Sequence, residues 1–249
     1  MNPVFENRWI TAGGIKTHCL VGGEGPPLVL IHGIGASTAA DEWRNNLQSL
    51  GLHHRVYAPD LAGHGKSAKP GIDYSIGFFT TFFDNLMNAL ELERASLIGH
   101  SLGGGIALDF AVNQPHRVEK LVLVDSAGLS EKLGLAGRVL FPLFTGIARL
   151  RRDHVYLSLM RGGNNGKPVQ VYMDRLHEIR SPTLIAWGEW DGYLPVKLAY
   201  EAHERLQSSR LHIFKRCWHA PQKQRASEFN RIVSDFLLSQ DTPEDENTS

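Results

Sequence analysis

Gly99-His100-Ser101-Leu102-Gly103 stands between two apolar runs of different period. The run before it, Ala95-Ser96-Leu97-Ile98, is short and mostly apolar, as a buried parallel strand is. After it, Leu102, Ile106, Leu108, Phe110 and Ala111 recur at mostly helical spacing. Ser101 is thereby predicted at a strand-to-helix turn. The backbone doubles back there too tightly for side chains at positions 99 and 103, and the serine hydroxyl is lifted clear of the chain. The positive end of the following helix then lies beneath any negative charge that develops on an attacked carbonyl. The pattern predicts a nucleophilic Ser101, against the plainer alternative of a glycine-rich packing turn with an idle serine.

A serine hydroxyl is a poor nucleophile at neutral pH. It needs an imidazole to take its proton and a carboxylate to orient that imidazole. Of the twelve histidines, His219 in Cys217-Trp218-His219-Ala220-Pro221 has the fitting context. It follows the strand-like Leu211-His212-Ile213-Phe214 and precedes a helical pattern through Phe229, Ile232, Val233, Phe236 and Leu237, which places it at a C-terminal strand edge. His18, His53, His54, His116, His177, His203 and His212 fall in polar, helical or strand surroundings and read as exposed or half-buried. For the acid, Asp191 follows the apolar run 182–188 and precedes Tyr193-Leu194-Pro195, which reads as a helix entry. Asp125, at the end of Leu121-Val122-Leu123-Val124, is the stronger of two rivals, and Glu189 is the other. The oxyanion would take one amide from Leu102. Ile34, in His32-Gly33-Ile34-Gly35 after the strand Leu28-Val29-Leu30-Ile31, is the candidate for the second, with His32 a structural hydrogen-bonding residue of that loop.

These pieces resemble the α/β-hydrolase superfamily, and more narrowly its small serine esterase and carbon-carbon hydrolase branch. The resemblance rests on His32-Gly33-Ile34-Gly35, Asp60-Leu61-Ala62-Gly63-His64-Gly65-Lys66-Ser67, Gly99-His100-Ser101-Leu102-Gly103, Trp187-Gly188-Glu189-Trp190-Asp191 and His219-Ala220-Pro221, in that order along residues 8–238. It implies an α/β fold, a mostly parallel central sheet flanked by helices, with a short inserted helical cap. The core would comprise residues 1–125 and 182–238, the cap 126–181, and a disordered acidic tail 239–249. The leading expectation is a carboxylesterase-type enzyme that cleaves a small ester or related acyl compound through Ser101, His219, Asp191 and an acyl-enzyme, with no cofactor. An alternative is hydrolysis of a carbon-carbon bond in a vinylogous diketone, where an arginine of the cap would hold a substrate carboxylate. A third, of another class, is a ligand-binding protein with little turnover. A serine at position 101 argues against dehalogenase and epoxide hydrolase chemistry, for which the resembling enzymes use aspartate. The chain departs from the branch at Trp218, where glycine is usual; a large ring there is expected to narrow the site or shift the imidazole. Its cap is also short, which points to a more open site or to one incompletely assembled.

The chain has 249 residues, 26 basic and 26 acidic, and no formal net charge. Composition therefore gives no support to a nucleic-acid or anionic-membrane partner, and a small molecule with an apolar part is the expected one. Cys19 and Cys217 suggest neither a disulfide framework nor, with any histidine, a zinc spacing, so no metal is expected. The N-terminus lacks a signal-peptide layout, and no apolar run approaches the roughly 20 residues of a membrane span, which together point to a cytoplasmic protein without membrane insertion. Residues 9–21, broken at Gly13-Gly14, read as an antiparallel hairpin, 55–60 as a strand, and 74–92 as a helix carrying Phe78, Phe79, Phe82 and Phe83. Gly63-His64-Gly65 lacks the rest of a phosphate loop. In the cap segment, Leu140-Phe141-Pro142-Leu143-Phe144 would give an apolar lid. Arg149, Arg151 and Arg152 read as a solvated helix face, with pairing to a substrate carboxylate the alternative, and 161–168 as a flexible loop.

Overall fold

The computed structural model describes residues 2–34, 38–131, 133–160 and 171–240. The loop read at 161–168, and 241–249 of the acidic tail, lie outside the described residues.

An antiparallel pair opens the chain, β1 (Phe5–Ala12) and β2 (Ile15–Gly22), joined at Gly13-Gly14 with Ala12 opposite Ile15. Both glycines have positive φ, as a two-residue hairpin requires. Pairing runs four residues further toward the N-terminus than the alternation suggested. Then follow β3 (Pro27–Ile31), the short helices α1 (Ala39–Trp43) and α2 (Leu47–Leu50), β4 (Arg55–Pro59), α3 (Ile76–Ala89), β5 (Ala95–His100), α4 (Leu102–Asn113) and β6 (Val118–Val124). After β6 come the helices α5 (Leu135–Arg151) and α6 (His154–Met160) and a 3-10 turn at Met173–Glu178. The chain ends with β7 (Thr183–Gly188), α7 (Lys197–Arg205), β8 (Ser209–Phe214), α8 (Pro221–Gln224) and α9 (Ala226–Leu238). α3 is shorter than the pattern at 74–92 because Ser75 caps it, its Oγ accepting from Phe78 N at 3.0 Å.

The eight strands form one sheet in the order β1-β2-β4-β3-β5-β6-β7-β8. It is antiparallel at β1-β2 and β2-β4 and parallel from β4 to β8. Its parallel strands are apolar on both sides because both sides are covered. Val29, Ile31, Leu97 and Leu123 pack with Phe79, Phe83, Ile106 and Phe110 beneath α3 and α4. Leu28, Leu30, Ile98 and Val122 pack with Trp43, Phe229 and Val233 beneath α1 and α9. This is the expected mostly parallel sheet flanked by helices, with helices inserted after β6. Since β3, β5, β6, β7 and β8 are consecutive neighbours running the same way, the loops that leave them meet at one edge. Among the described residues no helix is long and apolar enough to cross a membrane.

Candidate active site

Ser101 stands between β5 and α4 with φ 51° and ψ −114°, a region that costs a non-glycine residue about 1–3 kcal/mol. Surrounding bonds enforce it. Ser101 N donates to the Val124 carbonyl at 3.0 Å, and the Ser101 carbonyl accepts from Gly105 N (3.1 Å) and Ala127 N (2.9 Å). The two motif glycines are required by close approach: a Cβ on Gly103 would collide with the Ile31 carbonyl, and one on Gly99 with the Gly103 carbonyl.

Ser101 Oγ donates to His219 Nε2 at 3.0 Å, and His219 Nδ1 donates to Asp191 Oδ2 at 2.7 Å. The other Asp191 oxygen accepts from the amides of Tyr193 (2.8 Å) and Leu194 (3.0 Å), so the turn after β7 fixes the carboxyl. Three residues 90 or 28 positions apart in sequence thus form one hydrogen-bonded line across the sheet edge. Its two rivals are occupied elsewhere. Glu189 accepts from Lys215 Nζ and Arg216 N, both at 2.9 Å, on the surface. Asp125 is fully buried, and its Oδ1 accepts from Gly188 N at 2.8 Å. Its Oδ2 has no hydrogen-bond partner among the described residues. Burial, and then the neighbouring Asp191 charge, push the Asp125 pKa well above the usual carboxylate range. Ring nitrogens of His100 and His219 and a carboxyl oxygen of Asp125 come within 4.8 Å of one another, so Asp125 is a close neighbour of the line without being a link in it.

A second layer behind the imidazole was not legible in the sequence. His100 Nε2 donates to the His219 carbonyl at 2.7 Å, and His100 Nδ1 lies 2.5 Å from Glu42 Oε1. Gln222 Nε2 donates to the same Glu42 oxygen at 2.8 Å, while Lys223 pairs with the other. Burial alone would raise the Glu42 carboxyl, but His100 and Lys223 outweigh it and hold its pKa below the ordinary value. Glu42 is carried by α1, and α1 is tied down where Ala39 N donates to Asp60 Oδ1 at 2.6 Å. Asp60 Oδ2 accepts from Lys66 N and faces His18 Nδ1, each at 2.9 Å. The stretch 60–67 therefore positions α1 and through it the loop bearing His219. The only sequence signal for Glu42 was an acid in a helix whose neighbours Ala39 and Trp43 are buried. His18 and His54 are buried rather than exposed or half-buried.

His219 feels opposing influences. Burial lowers its pKa, the bond to Asp191 raises it, and His100 lowers it again; the net position is below the ordinary 6.5. His32 is structural, as expected: its Nε2 accepts from Leu61 N at 2.9 Å and its Nδ1 donates to the Gly33 carbonyl at 2.8 Å.

Ser101 and His219 open on a cavity of about 280 Å³. Ile34 and Leu102, the residues expected to supply oxyanion amides, both line it beside Ser101. Leu102 begins α4, so its amide has no partner within the helix. Leu133 and Phe141 of the α5 region and Leu159 and Met160 of α6 form the cap side. Tyr193 lies 5.1 Å from the His219 ring and stacks on Phe141 at 5.6 Å. This aromatic wall was missed, because nothing local to Tyr193 distinguishes it from other loop tyrosines. One expectation is corrected, and one alternative is set aside in favour of the solvated helix face. Trp218 does not crowd the imidazole: it is 53 % exposed, outside the cavity lining, with its amide donating to Gln224 Oε1 at 2.8 Å. Arg149 and Arg152 do not reach the cavity either, but border a separate cleft with Asp73 and His154. Among the described residues of the lining, the charged side chain besides His219 is Glu131.

Residues 26–152 match the family model described as the alpha/beta hydrolase fold. The chain is 32 % identical to 2-hydroxy-6-oxo-2,4-heptadienoate hydrolase of Pseudomonas putida, an alignment that covers 94 % of this chain and 97 % of that one. It is likewise 32 % identical to 2-hydroxymuconate semialdehyde hydrolase of a Pseudomonas species, covering 94 % of each chain. Among solved structures, a meta-cleavage product hydrolase from Pseudomonas fluorescens IP01 superposes with a TM-score of 0.82 at 26 % identity, covering 92 % of this chain and 97 % of that one.

Proposed function

Because this chain belongs to the α/β-hydrolase family, we propose that it is a serine hydrolase in which Ser101 attacks a carbonyl of a small, largely apolar substrate, and that the bond it breaks is the carbon-carbon bond beside a ketone. The observation that carries the reading is the Ser101-His219-Asp191 line at the floor of the cavity. The scissile bond is argued from the relatives, whose names describe hydrolases of a hydroxy-oxo-heptadienoate and of a hydroxymuconate semialdehyde, and it replaces the ester that sequence alone put first.

In this reading His219 takes the Ser101 proton as Oγ adds to the ketone, and the amides of Leu102 and Ile34 hold the oxyanion. The step requires the hydroxydienoate first to ketonise, its enol proton moving to the carbon beside the ketone. Collapse of the tetrahedral adduct then expels that carbon with the bonding pair, as an anion delocalised onto the new ketone oxygen, and His219 returns its proton to this fragment. An acyl-Ser101 ester remains. Water, deprotonated by His219, then releases the acid and restores the serine. Asp191 keeps Nδ1 protonated so that Nε2 faces the serine.

Ester hydrolysis is the second reading, and the cavity wall favours it. The relatives' substrates carry a carboxylate, whereas the described lining offers Glu131 and neither lysine nor arginine. The comparison to make is kcat/KM for 2-hydroxy-6-oxohepta-2,4-dienoate against p-nitrophenyl esters from acetate to decanoate. The dienoate is expected to be the better substrate by about tenfold or more, and among the esters the short acyl chains should lead, since the cavity is at the small end of ligand sites. Faster turnover of the esters would transfer the assignment to the second reading. The ligand-binding alternative, motivated by Trp218 and by the short cap, keeps only the second motive, since Trp218 stands outside the lining.

The pH profile follows from the same base. A reacting His219 must be neutral, so kcat/KM is expected to rise with pH along an acid limb whose midpoint lies below 6.5, the direction in which burial moves this imidazole. A midpoint above 6.5 would contradict the assignment of His219 as the base.

A further inference from the structure

The outward face of α5 carries an apolar stripe in open solvent. Leu135, Val139, Leu143, Ile147 and Leu150 are 78, 62, 58, 39 and 87 % exposed, and their spacing puts them on one side of the helix. Gly137 and Ala148 are on the buried side, and Phe141 lines the cavity. By the same helical repeat Arg138 and Arg149 border the stripe on one flank and Arg151 on the other. α5 contains no aspartate or glutamate, and none of these arginines pairs with a described carboxylate. At the N-terminal end of the helix Ala136 N donates to the Gly192 carbonyl at 2.9 Å. The half-exposed Trp218 ring lies beside that same glycine.

Exposed leucines and isoleucines in a row, arginines on the flanks and an amphipathic indole at one end are what a helix lying in a lipid headgroup layer presents. We propose that α5, together with Trp218, docks the protein on an anionic lipid surface, with the apolar stripe at the acyl boundary and the arginines on lipid phosphates. Charge selects this occupant over a second copy of the chain. Two α5 faces packed together would gather six arginines around an interface to which the helix brings no carboxylate, whereas an anionic surface neutralises them. The chain's zero net charge does not oppose this, because the field that acts on a membrane is the local one.

The test is sedimentation of the full chain with unilamellar vesicles of phosphatidylcholine alone and of phosphatidylcholine mixed with phosphatidylglycerol, with sedimentation velocity run without lipid. The protein is expected to pellet with the mixed vesicles and not with phosphatidylcholine, and to be released by salt. Binding should weaken about fivefold for each of Arg138, Arg149 and Arg151 changed to glutamine. It should be lost in Leu143→Asp/Leu150→Asp, whose exposed positions leave the fold intact by circular dichroism. Failure to pellet with either vesicle, or equal pelleting with both, would overturn the proposal. So would a dimer that Leu143→Asp/Leu150→Asp converts to monomer without vesicle binding, which would give this face to a second copy.

Discussion

Ser101→Ala is expected to lower kcat by on the order of 10⁴-fold or more, with the folded state unchanged. The loss is large because the hydroxyl supplies the attacking atom, and the oxyanion amides and the cavity left behind support only a slow attack by water. Alanine accepts the same backbone strain as serine at φ 51°, so thermal stability should move little. Ser126→Ala is the matched control. Ser126 also follows a strand end, two residues past β6, but its Oγ donates to the Ala127 carbonyl at 2.8 Å and is not part of the cavity lining. Equal losses in the two variants would remove Ser101 from its assigned role.

The two buried acids give the second large effect, because they should behave oppositely. In Asp191→Asn the amide no longer requires a proton on His219 Nδ1, the other tautomer turns an N–H toward Ser101, and kcat is expected to fall by about 10³- to 10⁴-fold. Asp125→Asn should keep activity within about tenfold. Burial and the Asp191 charge push the Asp125 pKa well up, toward the neutral acid that an amide resembles, and an amide carbonyl can still accept from Gly188 N. Steady-state rates of the two variants on one substrate decide between them. An inactive Asp125→Asn beside an active Asp191→Asn would show that the acid sits one strand earlier.

Much of this architecture is written locally in the chain. Apolar runs, the 99–103 turn and the positions of His219 and Asp191 after strands follow from periodicity and glycine placement, and parallel order then brings them to one edge. What periodicity does not carry is contact across the sheet. Glu42 and His100 belong to different elements and meet only when α1 is fixed by Asp60. Sequence context favoured Asp191 but did not exclude Asp125, since both follow adjacent strands; the bond from His219 and two backbone amides at Tyr193 and Leu194 make the difference. The reading of Trp218 failed because a residue next to the histidine in sequence points out of the cavity, while Tyr193, distant in sequence, packs against the ring. The arginines at 149, 151 and 152 were legible as a solvated helix face, but the exposed apolar stripe beside them was not, because Leu143 read as part of an apolar lid. The scissile bond is a matter of the cavity's shape and charge, which the hydrogen-bonded line does not determine.

The measurement that bears most directly on the nucleophile is exposure of the intact protein to an alkyl fluorophosphonate, followed by digestion and mass spectrometry of the peptide containing residues 99–103. The account predicts a single phosphonate on Ser101, formed in step with loss of turnover and greatly slowed in His219→Ala, which removes the base but not the hydroxyl. An unlabelled Ser101 in folded protein, or label on another side chain while turnover is lost, would contradict it.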